Sequence, residues 1–113
     1  MRCSHWKPVF DAEVSVGILI HAGPANKGFQ CGMLAATHAL LDGRAVYLYL
    51  LEDAVLGACH VSVESIVRLG GRVSACAYAM EQRDVDCPEG ITAAGLTLMS
   101  DILLCSERAL IFN

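Results

Sequence analysis

Cys76 stands at the seam between Arg72-Val-Ser-Ala-Cys76, a short β-rich run, and Ala77–Gln82, a stretch of helix formers. A thiol there faces the first turn of a helix, whose unpaired N–H groups and dipole favour an anion. Arg72 and Arg83 add positive potential. A thiolate held this way is a nucleophile suited to sulfane sulfur. The plainer reading is an inert core thiol, because Ala75-Cys76-Ala77-Tyr78-Ala79-Met80 is apolar and free cysteine packs as a small hydrophobe. Cys87, in a loop before Pro88, is a candidate resolving thiol that would form a disulfide with Cys76 or pass its sulfur onward.

A second group of polar residues follows the first apolar run. In His21-Ala-Gly-Pro-Ala-Asn-Lys-Gly28 the two outer glycines, Gly23 and Gly28, have the interval of a phosphate loop. Lys27 nevertheless precedes the second glycine, and Phe29-Gln30 stands where Lys-Ser/Thr is required, so a nucleotide P-loop is rejected. Backbone N–H groups at the start of the following helix could still hold a small anion. His21, Gly23, Pro24, Asn26 and Lys27 are then the candidate ligand-binding residues. The alternative is a tight strand-to-helix turn with no ligand. Glu52-Asp53 would disfavour a neighbouring thiolate, and they read as solvated or as paired with a cation.

The six cysteines (3, 31, 59, 76, 87 and 105) show no CxxC spacing, and the four histidines are not arranged with them as ligands. No metal site and no cofactor are expected. The simplest reading is six reduced thiols in a cytoplasmic protein, with Cys31 and Cys105 filling core or interface positions.

These residues need a scaffold, and the pattern supplies one. Residues 1–12 read as an N-terminal tail in which Trp6 and Phe10 pack locally, and residues 13–113 as one domain. Val14–Ile20 and Arg44–Leu51 are buried strands. Arg72–Cys76, Ile91–Ala94 and Arg108–Phe112 are three more. Helical spacing of Phe29, Met33, Ala36 and Leu40 predicts a helix over 29–41, stopped by Asp42-Gly43. Further helices are expected over 60–69, 77–82 and 96–106, the last with Leu96, Met99, Ile102 and Leu103 facing inward. Glu52–Cys59 is a loop with room for a short turn. The alternation predicts a three-layer α/β domain: a mostly parallel five-stranded, doubly wound, flavodoxin-like sheet with helices on both faces. In such sheets ligands lie beyond the carboxyl ends of the strands, where Cys76, the His21–Gly28 loop and Glu52-Asp53 all fall.

Composition narrows the class of function. At 113 residues there is space for one core, yet 55% of the chain is hydrophobic and mean hydropathy is +0.49. Small domains have much surface for their volume, so the surplus points to a subunit interface. No apolar run approaches the roughly 20 residues of a membrane span, and no secretory signal is read. With a net charge of −4 and scattered Lys and Arg, nucleic acid is excluded as a partner.

Four segments, taken in order, resemble the DsrE/DsrF-like family of sulfur-relay and sulfur-oxidation proteins. They are the turn Gly23-Pro24-Ala25; the helix exit Ala39–Val46; Ala75–Val85 around Cys76; and the closing pair Ala94-Gly95-Leu96 and Glu107–Phe112. The resemblance implies a sulfur-accepting role for Cys76 and a family basic position at Arg83. It also implies assembly into trimers, hexamers or hetero-hexamers. Asp84 departs from it, since glycine is usual there, and the Arg83–Gly90 loop is shorter than in many relay subunits. The resulting expectation is a sulfur carrier or sulfurtransferase holding a persulfide on Cys76 between donor and acceptor proteins. The alternative is a non-catalytic subunit or a module that binds a small anion or a partner.

Overall fold

Ser15-Val-Gly-Ile-Leu-Ile20 has no polar face, and it forms strand β1 (Ser15–Ile20), buried along its whole length. Such a strand must be covered on both sides. The computed structural model describes residues 15–113. The expected tail over residues 1–12, the packing of Trp6 and Phe10, and residues 13 and 14 of the expected domain lie outside the described residues.

After β1 come α1 (Lys27–Leu41), β2 (Ala45–Leu50), a 3-10 helix (Glu52–Gly57), α2 (Val61–Arg68), β3 (Arg72–Cys76), α3 (Ala77–Gln82), β4 (Ile91–Ala94), α4 (Leu96–Cys105) and β5 (Arg108–Phe112). The expected alternation holds element by element. The first helix begins at Lys27 rather than Phe29, and the loop after β2 is largely the 3-10 helix.

The sheet order is β4-β3-β2-β1-β5, with every neighbouring pair parallel. The chain steps outward from β1 to β4 and then returns to set β5 on the far side of β1. Right-handed crossovers place α1, α2 and α3 on one face and α4 on the other. Contacts agree, because Gly32 of α1 lies against Ile20, whereas Gly17 faces Ile102 and Ser106. Residues 17 and 20 point to opposite faces of a strand. A Cβ at Gly17 would stand 2.6 Å from the Ile102 side chain, so its absence lets α4 lie against β1.

On the α1–α3 face, Phe29, Met33 and Ala36 of α1 and Val63 and Ile66 of α2 are buried with Ile18, Ile20, Val46, Leu48 and Leu50. Each fully buried side chain of this size contributes on the order of 2 kcal/mol. The inward stripe of α4 differs from expectation. Ile102 is buried and Met99 packs at the core margin, but Leu96 and Leu103 are exposed and Leu98 takes a place in the packing. The physical reason is that α4 packs chiefly on β1 and β5, over the narrow groove at Gly17, and so buries a thin line of residues.

Candidate functional site

The connections out of adjacent strands diverge once in this sheet. After β3 the chain turns to α3 on one face, and after β4 it turns to α4 on the other. Open α/β sheets bind ligands outside the carboxyl ends of their strands. Cys76 is the last residue of β3 and lies opposite Ala94, the last residue of β4. The thiol predicted from the strand–helix seam therefore stands at that carboxyl edge, between the two diverging connections.

Cys76 is a free thiol, 7% exposed, and it is the N-cap of α3. The Ala79 N–H donates to its Sγ at 3.5 Å. A side chain that accepts at an N-cap satisfies one of the helix's orphan donors, and partial negative charge on sulfur strengthens the contact.

Tyr49 is the residue at this site that sequence reading passed over. It is fully buried on β2, and its hydroxyl lies 3.1 Å from each of the Ala94 and Gly95 carbonyl oxygens, two strands away. Tyr49 pairs with Ser74, so Ser74 and Cys76 share its face of the sheet. Reaching β4 takes the phenol across β3 to Ala94, the residue that pairs with Cys76, and so beside Cys76. Burial pushes the Tyr49 phenol well above its ordinary range, and Cys76 pushes it further. Tyr47, on the same face, is pushed up to about 12 by burial, with Arg72 opposing. A signal was present in Ala45-Val-Tyr-Leu-Tyr-Leu50: two tyrosines two apart in an aliphatic strand put both phenols on one buried face.

Arg83 caps the opposite end of α3, roughly 10 Å of helix from Cys76. Its Nη1 donates to the Ala79 carbonyl at 3.3 Å, and its Nε and Nη2 lie 3.1 and 3.0 Å from Asp53 Oδ1. Arg83 thus ties α3 to the 3-10 helix, and Asp53 has the cationic partner that the sequence allowed. Gly23, in turn, packs against Asp53, and Pro24 against Gly57. The turn after β1 closes with Asn26 N–H donating to the Gly23 carbonyl at 3.0 Å. Asn26 caps α1 without a side-chain hydrogen bond, and both Asn26 and Lys27 are exposed.

Other candidates stand apart. The His21 N–H donates to the Phe112 carbonyl of β5, so His21 lies two strand spacings, about 10 Å, from β3. Cys87 is an exposed free thiol whose Sγ is 3.1 Å from the Ile91 carbonyl at the amino end of β4. Ile91 pairs with Val73, three residues and roughly 10 Å along the strand from the Cys76–Ala94 pair. The structure brings Cys76, Ala79 and Tyr49 together; it does not bring Cys87 or His21 to them. Cys31, Cys59 and Cys87 are exposed free thiols, while Cys105 is disulfide-bonded, which corrects the reading of six reduced thiols. Among the described residues, no three His, Cys, Asp or Glu side chains gather as metal ligands, and no helix is long and apolar enough to cross a membrane.

No protein-family model matches the chain, and no curated protein matches it. Solved structures do. The YchN protein from E. coli superposes with a TM-score of 0.79 at 16% identity, covering 88% of this chain and 99% of its own. A conserved protein of unknown function, BT1422 from Bacteroides thetaiotaomicron, superposes with a TM-score of 0.67 at 19% identity, covering 86% and 93%. At these identities the likeness is one of fold: a five-stranded parallel α/β domain of the YchN kind.

Proposed function

We propose that the protein is a cytoplasmic sulfur carrier that accepts sulfane sulfur on Cys76 and yields it to an acceptor protein thiol. The observation that carries this reading is the Cys76 thiol at the carboxyl end of β3, capping α3 and accepting the Ala79 N–H. In the loading step the Cys76 thiolate attacks the outer sulfur of a donor persulfide, R–S–SH. A bond forms between Cys76 Sγ and that sulfur, the donor S–S bond breaks, and its electron pair leaves on R–S⁻. The product is Cys76–S–SH, and no external oxidant or reductant is consumed. Transfer to the acceptor thiol is the same exchange in reverse. Arg83 acts in this scheme by fixing α3 on Asp53, and Cys87 stands outside the loading step.

Self-association is part of the proposal. Leu34, Leu41, Leu104 and Ile111 are each more than half exposed, and large apolar side chains in that number favour a subunit interface.

A second reading is favoured by one observation, the 7% exposure of Cys76. In it the protein is a non-catalytic subunit or binding module, and the turn of His21, Gly23, Pro24, Asn26 and Lys27 holds a small anion or a partner loop.

Mass spectrometry after incubation with a persulfide donor separates the two. The carrier reading expects the mass of one added sulfur atom, mapped to the Cys76 peptide and absent from Cys76→Ser. An unloaded wild-type protein, or equal loading of the Cys76→Ser variant, ends it.

A further inference from the structure

The Tyr49 hydroxyl has one proton and three acceptors around it. Two are the carbonyl oxygens of Ala94 and Gly95, each at 3.1 Å. The third is the sulfur of Cys76, which shares the Tyr49 face of the sheet and pairs with Ala94, the residue the phenol reaches. A phenol donates once and accepts through its oxygen lone pairs. While Cys76 is a thiol, the balanced arrangement sends the Tyr49 proton to a carbonyl and the Cys76 S–H to the phenol oxygen. Once Cys76 is a thiolate it has no proton to give, and a buried anion held by the single Ala79 N–H is costly. The phenol is the donor at hand, because burial keeps it protonated.

We propose that Tyr49 is a positioning residue for Cys76, turning its O–H from the Ala94 and Gly95 carbonyls to the sulfur when the thiol ionises. Ala79 N–H donates to the sulfur from the helix side and Tyr49 O–H from the sheet side, so the anion has two donors. The turn between β4 and α4 loses a hydrogen bond in the same event, which couples the charge on Cys76 to the hold on Ala94-Gly95. Among other ionisable groups on the neighbouring elements, Tyr47 and Arg72 lie on the same face nearer the amino ends of β2 and β3, and Tyr78 of α3 is exposed. Asp53 and Arg83 neutralise each other, Glu52 and Glu81 are exposed, Asp101 is buried on α4, and β4 carries none.

This inference deepens the reading of Cys76 as a nucleophile, and its test does not pass through sulfur. The test is the rate at which iodoacetamide alkylates Cys76, followed on its own peptide by mass spectrometry, at neutral pH and at about pH 10, where thiols are ionised. Tyr49→Phe keeps the ring and removes the donor. It is expected to slow alkylation about tenfold at neutral pH and much less at about pH 10. Tyr47→Phe, a second phenol lost from the same face, is expected to leave the ratio of the two rates unchanged. A Tyr49→Phe effect equal at both pH values would make Tyr49 only a clamp on the turn and overturn the proposal. So would no effect at either pH, or an equal change of the ratio in Tyr47→Phe. Normal alkylation behaviour with no sulfur loading would leave this inference standing and remove the sulfur-carrier reading alone.

Discussion

Arg83 reaches Asp53 Oδ1 with two nitrogens of one guanidinium, Nη2 at 3.0 Å and Nε at 3.1 Å, and so joins α3 to the 3-10 helix after β2. The Asp53 side chain is 64% exposed, so water and salt screen the pair, and its coupling is expected near 0.5 kcal/mol. A double-mutant cycle of Arg83→Gln and Asp53→Asn in urea unfolding measures that coupling, which should shrink in about 1 M salt. Arg83→Gln alone should cost about 1 kcal/mol, because the bond to the Ala79 carbonyl goes with it.

The two buried tyrosines predict how stability falls in alkali. Tyr47 is pushed up to about 12 by burial and Tyr49 is also raised, while an unfolded tyrosine titrates near 10. Below about pH 10 both phenols are neutral in either state, and their contribution is fully present. Above it the unfolded chain releases protons first, so stability declines as pH rises through the folded values. The slope reaches up to about two protons. Urea unfolding from about pH 9 to about pH 12 should show this decline. Tyr47→Phe should flatten it by about one proton.

How far the molecule could be read from its sequence depended on the range of the contacts involved. β1 and β2 were legible because strands buried on both faces are continuous apolar runs, and Cys76 because a strand–helix seam is a local feature. Tyr49 was not, because its hydroxyl meets carbonyls 45 and 46 residues away across an intervening strand. The inward face of α4 was half legible. Helical period selects a stripe, but the groove made by Gly17 decides which residues of that stripe find cover. Distance from Cys87 to Cys76 likewise follows from the register of β3 and β4, which spacing along the chain does not contain.

Asp84 is the position where glycine was expected from the family resemblance, and its φ is +56°. The Asp84 N–H donates to the Glu81 carbonyl at 3.2 Å, and the Val85 N–H to the Met80 carbonyl at 2.9 Å. Those two bonds close α3 as a Schellman motif with Asp84 in the left-handed position. An acid there also faces the negative end of the helix dipole. Asp84→Gly is expected to raise the unfolding free energy by about 0.5 kcal/mol, since relief of the left-handed backbone outweighs the added freedom of the unfolded chain. Asp84→Val should lower it by about 1–2 kcal/mol. Urea midpoints at constant slope measure both.

Gly17 tests whether α4 depends on close approach to β1. An added Cβ would lie 2.6 Å from Ile102 Cγ2 and 2.7 Å from Ser106 Oγ. Ile102 is buried against the sheet, so it cannot swing into solvent without uncovering the strand. Gly17→Ala is therefore expected to cost about 2 kcal/mol through overpacking, even though alanine suits a strand backbone better than glycine does. Pairing it with Ile102→Ala removes the Cγ2 methyl group that the new Cβ would strike. If the clash is the cause, the double variant should be less unstable than the sum of the two single losses, by about 1 kcal/mol. Simple additivity would mean that α4 shifts as a unit and that the groove at Gly17 does not set its position.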